Sequence, residues 1–343
     1  MKKFLFFACV LTLTLTSCGS IKKVSKKVAD LAYAPEERSL NIMKITDEQS
    51  NTVLGQVTFG APSGNFVAQT RGGSKKGGLS WTTNRLLDVS PDGTELAYVN
   101  RYNKQDNIMT RRALSQGAAT QRTFRNVSSF SWGSDGKLYF ADATDDEHIQ
   151  IASVDSHVGN VVRQLTSGNI DMDPVLTTDG KILFFTRMDK TGPAIWSLNI
   201  STGALTLCSI GFSPTIVPGN SNQYICVRNN SAGNSEIWLV DYIHGQESVL
   251  LSDKEISFTN PSVSPDGQWI VCEGNAKSNI TKSVNLDIYA SKIDGTQRLQ
   301  MTYHPSTDCC PVFSKDGRYV YFLSTRANKN NYYNVWRMSF MAN

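Results

Sequence analysis

The chain has four histidines, His148, His157, His244 and His304. No two stand in an H-x-x-x-H spacing, and none pairs with a cysteine in a zinc-ligand pattern. They fall in different stretches of the chain, mainly in polar loops, where an imidazole caps a strand end or faces solvent. The acidic stretch Asp142-Ala143-Thr144-Asp145-Asp146-Glu147 could offer oxygens to Ca²⁺. It lacks the regular spacing of a calcium loop and reads as a solvated hairpin loop. A serine nucleophile would call for a G-x-S-x-G elbow. The nearest stretch, Gly211-Phe212-Ser213-Pro214-Thr215, lacks the final glycine. Arg71-Gly72-Gly73-Ser74-Lys75-Lys76-Gly77-Gly78 has neither the G-x-x-x-x-G-K-[ST] order of a phosphate cradle nor a following helix. It reads as part of a flexible glycine-rich insert over about 60–80. No catalytic residue, no metal ligand and no cofactor is expected, so the chain is not expected to be an enzyme.

Chemistry of another kind stands at the start. Met1-Lys2-Lys3 is a basic lead, and Phe4 to Thr14 is mostly apolar but too short to span a bilayer stably. Leu15-Thr16-Ser17-Cys18 then resembles the lipobox of a bacterial lipoprotein signal peptide. The resemblance implies cleavage after residue 17 and lipid attachment at the Cys18 thiol. Each buried methylene of such an anchor contributes roughly 0.8 kcal/mol, and more than one acyl chain makes attachment durable. Residues 18–39, with Lys22, Lys23, Lys26 and Lys27, read as a basic tether. No acidic residue follows Cys18 closely and no Asp stands directly after it. The expected address is the outer membrane, lipid-anchored and facing the periplasm.

The formal charge is +4. Lys2, Lys3 and the four tether lysines carry that excess, and without them the remainder is near-neutral at about −2, no trap for nucleic acid. Of seven cysteines, Cys9 lies in the leader and Cys18 is the lipid site. Cys208, Cys226, Cys272, Cys309 and Cys310 remain. Most sit in strand-like stretches as small apolar groups, and no particular pair is favoured for a disulfide.

What positions these side chains is a repeat. Ser264-Pro265-Asp266-Gly267 sits between two apolar runs and reads as a tight turn: proline sets φ, aspartate bonds the local backbone, glycine accepts a positive φ. The motif recurs with variations, its aspartates at 92, 135, 179, 266 and 316. The long gap after Asp179 predicts a copy near 220, where Pro218-Gly219-Asn220-Ser221 precedes Tyr224-Ile225-Cys226-Val227. A second half follows each copy, with strands such as Ile195-Trp196-Ser197 and Val335-Trp336-Arg337. Four short strands per repeat predict an all-β, six-bladed β-propeller over 40–343, with seven blades as the alternative. The sixth repeat lacks its fourth strand, and part of 40–59 is expected to supply it.

The phrases Asn260-Pro261-Ser262-Val263-Ser264-Pro265-Asp266-Gly267 and Cys310-Pro311-Val312-Phe313-Ser314-Lys315-Asp316-Gly317 resemble the repeat of the TolB-like, WD-type propellers. The likeness covers roughly residues 85 to 340. In that family the ring binds a peptidoglycan-associated lipoprotein, and an α/β domain precedes the ring. Here about twenty tether residues stand in that place, next to a lipobox that the family's soluble periplasmic proteins do not have. The resemblance implies the fold and an envelope setting. Propeller peptidases add a catalytic domain to such a ring, and pectic-oligosaccharide lyases gather histidines around a metal at its axis. Residues just before each first strand are expected to ring the channel: Asp88, Ser128, Asp171, Ser213, Asn260 and Asp308. Of these, Asp88, Asp171, Asn260 and Asp308 are the candidate binding residues of the rim. The expected role is a non-catalytic scaffold for an envelope protein partner, held to the membrane through its N-terminal lipid. A carbohydrate-active enzyme, or a glycan-binding protein using the channel, is the alternative.

Overall fold

In a computed structural model, the described residues are 34–47, 57–58, 80–81 and 85–340, apart from 103–104, 115–116, 146–147, 158–160, 190, 277–283 and 328–331. The leader, the basic segment up to residue 33 and the glycine-rich stretch 59–79 lie outside them.

The turns form as their chemistry dictates. In the first repeat Ser90 Oγ donates to Asp92 Oδ1 at 2.6 Å and accepts from the Glu95 amide at 2.9 Å. The Gly93 amide bonds the Ser90 carbonyl at 2.8 Å, with Gly93 at φ +75°. Ser264, Asp266 and Gly267 repeat this arrangement, as do Ser314, Asp316 and Gly317. Each turn joins the first two strands of an antiparallel four-stranded blade, and there are six such blades rather than seven. The inner strands are Leu87–Val89, Val127–Trp132, Ile170–Leu176, Phe212–Val217, Phe258–Val263 and Asp308–Phe313. Successive inner strands touch, and the sixth touches the first, which closes the ring. Middle strands are covered on both faces by neighbouring blades, so runs such as Leu183-Phe184-Phe185 are fully buried.

Four inner strands share a distortion. Asp173, Ser213, Asn260 and Cys310 each precede a proline and adopt φ of +52°, +50°, +52° and +53°. The ladder register slips at each. Proline has no N–H for the ladder, so the strand bulges there. The left-handed conformation costs an ordinary residue roughly 1–2 kcal/mol, offset where a neighbouring side chain takes up the amide that the bulge releases. Ser129 Oγ accepts from the Asp173 amide at 2.9 Å, Thr186 Oγ1 from Ser213 at 2.9 Å and Glu273 Oε1 from Cys310 at 2.7 Å. Each of these bonds stitches one blade to the next.

Buried arginines at the ends of second strands add a further repeat. Arg187 lies 5.0 Å over Trp196, Arg228 4.7 Å over Trp238 and Arg326 5.8 Å over Trp336. Arg187 grips Asp171 through two bonds of 2.7 and 2.8 Å, both groups buried. Arg326 sits between Asp308 and Glu37, bonding Glu37 Oε2 at 2.9 Å and Asp308 Oδ2.

Glu37 belongs to the stretch expected to be tether, and here the structure corrects the boundary. Pro35–Leu40 forms a 3₁₀ helix, with Ala34 and Glu37 fully buried. Glu37 also accepts from the Tyr303 and His304 amides at 2.6 and 3.1 Å. Packing against the last two blades captures the segment because this one carboxylate satisfies a buried cation and two backbone donors. Beyond it, Met43–Lys44 pairs antiparallel with Asn334–Ser339 as the fourth strand of the sixth blade. Thr46 Oγ1 locks the junction, accepting from Val335 N at 2.9 Å and donating to Asn334 Oδ1 at 3.0 Å.

The latch concentrates negative charge. Burial first, then repulsion from Asp308 and Glu37, pushes the Asp287 carboxyl up to about 8, and burial pushes Asp308 up to about 6. Both folded values lie above the unfolded carboxyl value of about 4, so the folded state holds more protons. Their stability contribution is complete below about pH 4 and is lost as pH rises through 6 and then 8. Melting temperature should therefore fall from pH 6 to pH 9. Asp287→Asn should flatten that slope and exceed the parent at pH 9 by ~1–3 kcal/mol. Parallel melting curves for the two proteins across this range would contradict the assignment.

Candidate functional site: the axial funnel

The inner strands leave a cavity of about 400 Å³ along the ring axis. Its lining draws on every blade. One residue of each first turn stands at the mouth: Pro91, Ser134, Thr178, Pro218, Pro265 and Lys315. Deeper walls include Leu87, Trp132, Ile216, Val263 and Phe313, with Asp88, Ser131, Thr215, Asn260 and Ser262 as polar points. The far end, where the inner strands begin, holds Arg85 and Cys310.

Arg85 precedes the first inner strand, and its guanidinium reaches the fourth blade, which faces the first across a six-membered ring. Its Nη2 donates to the Pro214 carbonyl at 2.7 Å and to Thr215 Oγ1 at 2.5 Å. Burial pulls this guanidinium below its usual range, while the Asp173 and Asp88 carboxylates pull it upward. Burial likewise raises the Asp173 carboxyl, opposed first by Arg85 and then by Ser213. A cation thus crosses the axis at the base, and Lys315 stands exposed at the mouth. The three rim prolines present rigid apolar surface with no N–H to satisfy. Such a funnel can take an extended segment end-on, apolar contacts along its walls and an acidic group towards either cation.

The four candidate rim residues separate into two pairs. Asp88 and Asn260 line the funnel. Asp88 Oδ2 also accepts from the Trp132 amide at 2.7 Å, and Asn260 Nδ2 donates to Glu273 Oε1 at 3.0 Å. Asp171 and Asp308 are wholly buried in ion pairs with Arg187 and Arg326 and do not reach the funnel lining. The hairpin explains this: Asp171 and Arg187 are direct cross-strand partners, equidistant from the turn at Asp179. Counting outward from that turn finds the pair in the sequence. Arg85, Trp132 and Lys315 also line the funnel and are not among the expected residues; for Arg85, nothing in the sequence shows that it crosses the axis.

None of the histidines lines the funnel. His148 and His244 face Asp145 and Asp241 at 3.3 and 2.9 Å, His157 is exposed, and buried His304 accepts from the Ser306 amide at 3.1 Å. A different grouping has metal-ligating character: Glu273, Cys309 and Cys310, all buried, have ligand atoms within 4.8 Å of one another. The five ring cysteines are free thiols.

No family model matches the sequence, and no curated protein matches it. Solved structures do. TolB from Acinetobacter baumannii is 20% identical, with a TM-score of 0.57 over 76% of this chain and 66% of that one. This chain therefore spans just under two thirds of that protein's length. A putative TolB from Agrobacterium tumefaciens is 15% identical, with a TM-score of 0.57 over 76% and 93%. An oligogalacturonate lyase from Vibrio parahaemolyticus is 12% identical, with a TM-score of 0.52 over 88% and 97%. These similarities establish the fold, a TolB-like six-bladed propeller. A ring of this shape occurs both in TolB proteins and in a lyase.

Proposed function

We propose that the chain is a lipid-anchored protein of the outer membrane, facing the periplasm, whose propeller receives an extended segment of another envelope protein in its axial funnel and catalyses no reaction. The observation that carries this reading is the funnel itself. All six blades contribute to its mouth, its walls are apolar with a few polar points, and one cation closes its base while another stands at its rim. The likeness to TolB propellers favours a protein partner over a small substrate. Cys18 is the proposed lipid site. No helix among the described residues is long and apolar enough to cross a membrane, and the anchor supplies the attachment.

The partner segment carries an acidic group, matched to Arg85 and Lys315. Lys315 is exposed on a turn, so Lys315→Glu should leave the fold intact and lower partner recovery from envelope extracts about tenfold, equivalent to ~1.4 kcal/mol. Cys18→Ser should shift the protein from the membrane to the soluble fraction. Undiminished recovery with Lys315→Glu would remove the funnel from the reading. Conversion of oligogalacturonate by the purified protein would replace the scaffold with an enzyme.

A further inference from the structure

We propose that Glu273, Cys309 and Cys310 form a binding site for a borderline-soft divalent cation of the Zn²⁺ type, set in the wall at the base of the axial funnel. The three residues come from adjacent blades, Glu273 on the second strand of the fifth and the cysteines on the inner strand of the sixth. Adjacent residues of a regular strand point to opposite faces. The bulge at Cys310, with φ +53° and a register slip between Cys309 and Val312, breaks that alternation. It brings both sulfurs and a Glu273 oxygen within 4.8 Å of one another, with the Cys309 thiol donating to the Leu323 carbonyl at 3.7 Å. Ligand atoms on one tetrahedral zinc lie roughly 3.3–3.8 Å apart, given bonds of about 2.0 Å to oxygen and 2.3 Å to sulfur. A small inward adjustment of the side chains completes the set.

Glu273 is already oriented. Its Oε1 accepts from the Cys310 amide at 2.7 Å and Asn260 Nδ2 at 3.0 Å, and its Oε2 accepts from Thr259 Oγ1 at 3.2 Å. Carboxylate oxygens retain lone pairs beyond these bonds, and such outer partners hold a ligand in place for its metal. Two sulfurs and one oxygen suit zinc or cadmium better than Mg²⁺ or Ca²⁺. Cys310 lines the funnel, which gives an ion its entry path. Burial raises both thiols, so the resting site is protonated. Binding exchanges the two S–H protons for the cation, and the protons leave to solvent. Three protein ligands leave one coordination position for solvent or an incoming group.

The test is titration of the reduced protein with Cd²⁺, following the ultraviolet thiolate-to-metal charge-transfer band, with Zn²⁺ as competitor. One equivalent should bind, Zn²⁺ should displace it, and the melting temperature should rise with metal. Cys310→Ser and Glu273→Gln should each weaken binding at least about tenfold, while Cys208→Ser leaves it unchanged. A second readout covers loss of fold in a variant: in the parent protein, stoichiometric Zn²⁺ should protect Cys310 from alkylation, as read by peptide mass. No charge-transfer band at one equivalent would overturn the proposal. So would a band that survives in a folded Cys309→Ser/Cys310→Ser protein, or alkylation of Cys310 unaffected by Zn²⁺.

Discussion

Glu37→Ala should destabilise the protein by about 3–5 kcal/mol, the range for removing one partner of a buried ion pair. Arg326 is 0% exposed and holds Glu37 and Asp308 on either side. Without Glu37 it keeps one counter-charge, and the amides of Ala34, Tyr303 and His304 lose their acceptor together. Each orphaned buried donor adds ~1–3 kcal/mol of desolvation that solvent entry only partly relieves. The effect should be global, because Glu37 fastens the segment whose next strand completes the sixth blade. At about 2–4 °C per kcal/mol for a chain of this size, the melting temperature should drop by on the order of 10 °C. Glu37→Gln should fall between parent and alanine, since the amide still accepts from Tyr303. A drop of only a degree or two would show that the ring closes without this contact.

Asp171→Ala should cost a similar ~3–5 kcal/mol, and for the same reason. It strands the Arg187 guanidinium, which stacks between Phe185 and Trp196 and has its two strong bonds to Asp171. Asp88→Asn offers the contrast. Asp88 is half-buried at the funnel wall, and an amide oxygen still accepts from the Trp132 backbone N–H. Its unfolding free energy should stay within ~1 kcal/mol of the parent, with its effect confined to partner capture. Chemical denaturation of the two variants side by side checks this. Equal, small losses in both would mean that Asp171 does not depend on its buried pair.

The architecture was legible because propeller repeats announce themselves through local turn chemistry. Asp92, Asp135, Asp179, Asp266 and Asp316 each sit where only a few residues suffice to shape the chain, and the missing strand of the last repeat pointed to a latch. The X-Pro steps at Asn260-Pro261 and Cys310-Pro311 were equally visible as letters. Their left-handed conformation is not, since what supports it lies far off in the chain: at Cys310 the released amide is accepted by Glu273 of the preceding blade. Glu37 and Arg326 are separated by 289 positions, and no periodicity relates them, so nothing in the sequence distinguishes residues 34–39 from the segment before them. The funnel suffered in the same way. Asp88 and Asn260 follow from their place at the strand starts, whereas Arg85 joins the funnel by crossing to the opposite blade.

Site-specific photo-crosslinking in intact cells bears most directly on the central claim, that a protein segment docks in the axial funnel. A photoreactive residue at position 315, on the funnel mouth, is compared with one at 207, exposed on the outer strand of the third blade. The funnel account predicts a discrete crosslink to one envelope protein from 315 and none from 207. A crosslink from 207 alone, or equal yields from both positions, would contradict it.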